Sequence, residues 1–91
     1  MNIWAVGNYV NSGFLKHLLV REILKIQDGT IYILTSSTGG LYSHQPYRGT
    51  SSISTYDLEQ LHREAVAYAA RIALQETRAR ARAYEIESLF Q

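Results

Sequence analysis

Three arginines, Arg71, Arg78 and Arg82, stand at spacings of seven and four. At ~100° per residue those spacings return to one face of a helix, so the three guanidiniums fall within roughly 20° of a single line. Each presents a forked, permanently charged set of donors that suits a phosphate group or a carboxylate-rich partner. Gln75 sits beside them. The competing reading is an ordinary solvated helix surface, with Glu64 and Glu85 as ion-pair partners. Arg80 suits that reading, having Glu76 one turn before it and Glu87 two turns after.

A second group gathers Tyr42, His44, Gln45, Tyr47 and Arg48 within seven positions. Flat rings mixed with hydrogen-bonding groups are what recognition loops use. Tyr47 can stack on a base or plug a protein pocket, Arg48 can meet a phosphate, and His44 can add a hydrogen bond. Alternatively, Tyr42 and Tyr47 simply cover the open end of a sheet.

Other chemistries lack their residues. His17, His44 and His62 are too scattered for a metal motif, and with no cysteine there is neither a disulfide framework nor a thiolate site. Glu85 and Glu87 lie nearly opposite on a helix and cannot flank one bond. Gly39 and Gly40 lack the other glycines and the lysine of a phosphate loop, and no nucleophile-elbow pattern is present. The expectation is a non-enzymatic chain with no metal and no cofactor.

Composition narrows the class further. A hydrophobic fraction of 46% argues against disorder. The net charge of +1 is too low for non-specific nucleic-acid binding and too high for an acidic mimic of DNA. Neither a signal-peptide pattern nor an apolar run of ~20 residues occurs, so no membrane association and a cytoplasmic location are expected. The length suits a single domain over residues 1–91.

The elements that must position these groups divide at about residue 53. Residues 3–6 and 9–10 read as short strand pieces broken by Gly7 and Asn8. From Phe14 onward the chain is rich in Leu, Ile and Val; residues 14–19 suit strand or helix, and strand is favoured from about Leu18. Asp28 and Gly29 between isoleucines signal a two-residue hairpin, which would pair Ile26 with Ile31 and Leu24 with Ile33. That register collects Leu24, Ile26, Ile31 and Ile33 on one face, extended by Leu18 and Val20, with Glu22 as an exception. The other face, with Ile23, Tyr32 and Leu34 among polar residues, would need cover from a helix. Residues 36–40 form a second turn, 41–43 a short strand, and 44–52 the longest loop.

This succession of short strands and tight turns, with a strand-like Ser52, Ile53 and Ser54 before a helix, resembles small SH3-like barrels or a helix-backed meander. The resemblance covers residues 3–58 and rests on pattern. It carries over no motif residues, so it implies a fold and no function.

Residues 55–90 read as one amphipathic helix. Leu58, Leu61, Ala65, Tyr68, Ile72, Ala79, Ala83, Ile86 and Phe90 make one stripe, within which residues 58, 65, 72, 79 and 86 keep a seven-residue repeat. A second row, Val66, Ala70, Ala73, Leu74, Ala81 and Tyr84, lies on another side and is the expected oligomer interface. Ser54 and Asp57 have capping-box spacing. Unbroken, the helix would run ~50 Å, longer than a domain of this size is wide, ~26 Å. It must project, bend near Gln75 or lie on a partner.

The expected fold is therefore α+β: a small antiparallel β-sheet or SH3-like barrel over about residues 3–53, then one long C-terminal α-helix over about 55–90. The expected function is capture of a phosphate-bearing ligand, a nucleotide or short nucleic acid, by a homodimer or higher homo-oligomer. Its contacts would be Arg71, Arg78 and Arg82 with Tyr47, Arg48 and His44. A small adaptor or inhibitor acting on an acidic or hydrophobic protein surface is the alternative.

Overall fold

Five antiparallel strands follow one another across a single sheet in chain order: β1 (Tyr9–Ser12), β2 (Leu15–Ile26), β3 (Gly29–Thr35), β4 (Leu41–Gln45) and β5 (Gly49–Ser52). One helix, α1 (Thr55–Leu89), completes the α+β chain. The structure is a computed structural model describing the backbone of residues 3–89 and the side chains of residues 3–82. The side-chain expectations for Ala83, Tyr84, Glu85, Ile86, Glu87 and Phe90 lie outside the described residues.

The leucine-, isoleucine- and valine-rich run is strand from Leu15 to Ile26, with Phe14 in the turn before it. Its turn with β3 lies one residue earlier than in the expected hairpin. Ile26 pairs with Gly29 and Leu24 with Ile31, which leaves Gln27 and Asp28 as the turn. A turn centred on Asp28 and Gly29 needs positive φ at both; only Gly29 adopts it, at 124°. The shift moves each partner by two, so the faces near the turn keep their expected members.

Farther along β2 the faces exchange. Val20 pairs with Leu34 but Glu22 pairs with Ile33, so Arg21 is an extra residue in a β-bulge. Because side chains alternate, one extra residue sends Leu18 and Val20 to the face opposite Leu24 and Ile26. There they join Tyr32 and Leu34 in a first core, packed by Trp4, Val10, Leu15 and Tyr42. Glu22 is then no exception: it belongs to the other face, where its carboxylate meets His62 of α1 at 2.9 Å. That second core holds Ile26, Ile31, Ile33 and Leu58, with Ile53, Leu61 and Ala65 against it. So α1 covers the isoleucine face, and the face of Tyr32 and Leu34 is covered by the sheet's own curl.

The curl brings the first and last strands together, and Ser12 Oγ lies 2.5 Å from Thr50 Oγ1. Residues 3–6 form no strand. They fold across the concave side, where Trp4 stands edge-on to Tyr32 at 5.1 Å and Ile3 N–H donates to the Tyr32 hydroxyl at 2.9 Å. The expected long loop at 44–52 is instead a hairpin, with residues 46–48 as its turn and Gly49 at φ 78°. Thr50, Ser51 and Ser52 carry no apolar signature, so the strand is invisible to hydrophobic periodicity.

The capping box forms as read: Ser54 N–H donates to Asp57 at 2.9 Å and Asp57 N–H to Ser54 Oγ at 3.1 Å. Hydrogen bonding from Ser54, its backbone N–H first and its side chain second, holds the Asp57 carboxyl below its ordinary range. No break occurs at Gln75; α1 is helical for 35 residues and the molecule measures 63 Å along its longest axis. Beyond Ile72 every described side chain is exposed.

Candidate functional site

Two hairpin turns stand at the same end of the sheet and wall a cleft of about 340 Å³. One is Gln27 and Asp28. The other, residues 46–48, is set by Pro46 at its first corner, by Arg48 N–H donating to Gln45 O at 3.0 Å, and by Gly49. Thr30 and Tyr32 line the cleft from β3, Gln45 from the end of β4 and Ile3 from the N-terminal segment. Tyr47 and Arg48 line it from the turn, as Asp28 does from the other side. Tyr47 is fully exposed at 101%, so its ring spends no surface on the protein's own core. Among the described residues the cleft is lined by one carboxylate and one guanidinium, Asp28 and Arg48.

Behind the cleft, His44 is committed to structure. Its ring lies 4.7 Å from that of Trp4, and its Nδ1 is 2.8 Å from Thr50 Oγ1, which continues to Ser12. Burial pushes the imidazole below its ordinary pKa, favouring the neutral ring. A hydroxyl–hydroxyl–imidazole chain resembles half of a catalytic triad. A triad, though, orients its imidazole with a carboxylate on the far nitrogen, and among the described residues no carboxylate bonds to His44. The chain ties β5 to β1.

The helix arginines are not gathered with the loop. Arg71 lies behind the β2–β3 turn, where its Nη1 donates to Gln27 Oε1 at 3.2 Å. Arg78 and Arg82 stand ~10 and ~16 Å farther along the helix axis, exposed on its projecting part. Their alignment on one face survives because α1 is unbroken. The expected interface residues Val66 and Leu74 are 70% and 50% exposed, and Ala70, Ala73 and Ala81 are exposed with them.

On the opposite side of the sheet two grooves run beside α1. The first, about 400 Å³, has Ile26, Ile31, Ile53 and Leu61 at its base and Asp28, Asp57 and Glu64 on its walls, with Arg48 at one end. The second, about 240 Å³, continues past Glu64 and Ala67 to Arg71. Asp28 borders the cleft and both grooves, although in sequence it is only a turn residue. Phe14, at the tip of the β1–β2 hairpin, is wholly exposed, and no spacing or periodicity singled it out. Among the described residues no set of three metal-ligating side chains converges, and no helix is long and apolar enough to cross a membrane.

Compared with protein-family models, curated proteins and solved structures, the chain matches none. Its function is therefore to be read from its own residues.

Proposed function

We propose that this chain is a non-enzymatic binding protein that captures a phosphate-bearing ligand, a nucleotide or a short stretch of nucleic acid, in the cleft between its two hairpin turns. One observation carries the reading: Tyr47 and Arg48 wall a cleft whose 340 Å³ falls within the range of small-molecule sites. Tyr47 supplies a stacking ring and Arg48 a fork for phosphate oxygens. Asp28 can accept from an exocyclic amine of a base. Arg71, behind the same turn, adds to the positive field without touching the cleft.

Trp4 is the only tryptophan and packs on Tyr32 of the cleft, so its fluorescence reports occupancy. Titration with nucleoside triphosphates and a short oligonucleotide should give saturable binding that weakens as salt rises. Arg48→Glu should cost at least about tenfold in affinity, the value of a charge-assisted hydrogen bond. Wild-type protein that binds none of these probes at millimolar concentration would overturn the proposal.

A second reading, an adaptor or inhibitor of another protein, draws on the exposure of Val66, Leu74 and Phe14. It predicts no response to phosphate-bearing probes and loss of a protein complex when those three side chains are made polar.

A further inference from the structure

We propose that α1 pairs antiparallel with α1 of a second copy, along the flank that borders the two grooves rather than along the row of Val66 and Leu74. The flank carries Asp57, Glu64, Arg71 and Arg78 at intervals of seven. On a straight helix each interval drifts by about 20°, a drift that two helices absorb by coiling round each other. The order of charge is two carboxylates and then two guanidiniums. Such a series is complementary to itself only when reversed. With a two-fold axis between Ala67 and Tyr68, Asp57 of one copy faces Arg78 of the other, and Glu64 faces Arg71, each contact made twice. An in-register parallel pair would set like charge against like.

The fold supports the same arrangement. Asp57 and Glu64 wall the first groove, and Glu64, Ala67 and Arg71 the second, so a trough follows the charged flank itself. Its base is apolar, with the partly exposed Ile53 and Leu61 over the buried Ile26 and Ile31, and can take up the partner helix's uncharged positions. All four charged side chains are exposed, and among the described residues none makes an ion pair. Residues 73–82 are exposed on the projecting part of α1, so that part is open to a partner. Reversed pairing about this axis lays residues 73–80 of one copy against residues 55–62 of the other, where α1 rests on its sheet. Apolar burial would supply the affinity, and the charges would fix direction and register.

Sedimentation of the full chain at tens of micromolar should show a dimer. Glu64→Arg alone and Arg71→Glu alone should each raise the dissociation constant at least about tenfold, because the two-fold axis repeats every like-charge contact. Mixing those two single variants should restore a dimer of mixed composition, seen by native mass spectrometry. Carrying both substitutions on one chain should restore the homodimer. This recovery separates the proposal from simple misfolding, which mixing cannot repair. Since the chain has no cysteine, Gln60→Cys and Gln75→Cys chains can be mixed under oxidation. A reversed pair links them, whereas in-register parallel helices hold those positions ~22 Å apart. A wild-type monomer at hundreds of micromolar, single variants that dimerise as tightly as wild type, or no recovery on mixing would overturn it. None of these readouts depends on a ligand, so failure of the cleft leaves the pairing standing, and the reverse.

Discussion

His44 shows how a residue type can be noticed and its role still be missed. Its place beside Tyr47 and Arg48 in sequence suggested a shared loop, yet β4 turns it inward beneath Trp4 while the turn holds Tyr47 and Arg48 at the cleft. The signal that would have separated them is Gly49, whose positive φ closes a three-residue hairpin after Pro46 and makes His44 a strand residue. The role has a consequence for pH. Burial lowers the folded pKa below the ordinary 6.5, so the unfolded chain takes up the proton first as pH falls. The stability His44 contributes is complete above about pH 6.5 and is lost as pH drops below it, until the folded pKa is also passed. Tyr32, Trp4 and Thr50 face the ring, and among the described residues no charged group bonds to it. The thermal midpoint of the wild type should therefore fall between pH 7 and pH 5 more steeply than that of His44→Gln. His17 and His62 remain in both proteins, so the difference belongs to His44, and parallel profiles would refute the assignment.

At the scale of the elements, the helix was legible and the sheet only half so. Every feature that marks α1 is local: Ser54 and Asp57 cap it, and the spacing of Leu58, Leu61 and Ala65 fixes the buried side. The bulge at Arg21 is not local. It arises because β2 must pair with β3 at one end and β1 at the other while the sheet curls far enough for Ser12 to reach Thr50. Nothing in the run from Val20 to Ile23 announces it, and strict alternation therefore left Glu22 as an unexplained polar residue in an apolar face. The pair Val20 and Glu22 tests the bulge directly. Val20 is fully buried in the concave core, so Val20→Lys should prevent folding, as an unpaired buried charge does. Glu22 is partly exposed beside His62, so Glu22→Gln should cost less than about 1 kcal/mol. Regular alternation would place the two on one face and make their substitutions comparably harmful; chemical denaturation of both variants decides.

Taken whole, the molecule is a small sheet carrying a helix longer than the sheet can cover. Among the described residues only Leu18, Val20, Ile26, Ile31, Tyr32, Ile33, Leu34 and Leu58 are buried apolar side chains, a modest core for a chain of 91 residues. The contacts of α1 with the sheet run from Leu58 through Ala65 and end with Arg71 on Gln27. Residues 73–82, all exposed, add nothing to that core. Any species that binds only the folded state raises stability with its own concentration. If the binding species is a second copy, the thermal midpoint of the full chain must rise as protein concentration rises. A chain ending at Ile72 keeps every described contact between α1 and the sheet but loses Arg78 and the projecting turns. It should fold, sediment as a monomer and melt at a temperature independent of concentration. Full-length protein with a concentration-independent midpoint would show that the projecting helix stands alone. A shortened chain that fails to fold would show that the sheet draws support from the far half of α1.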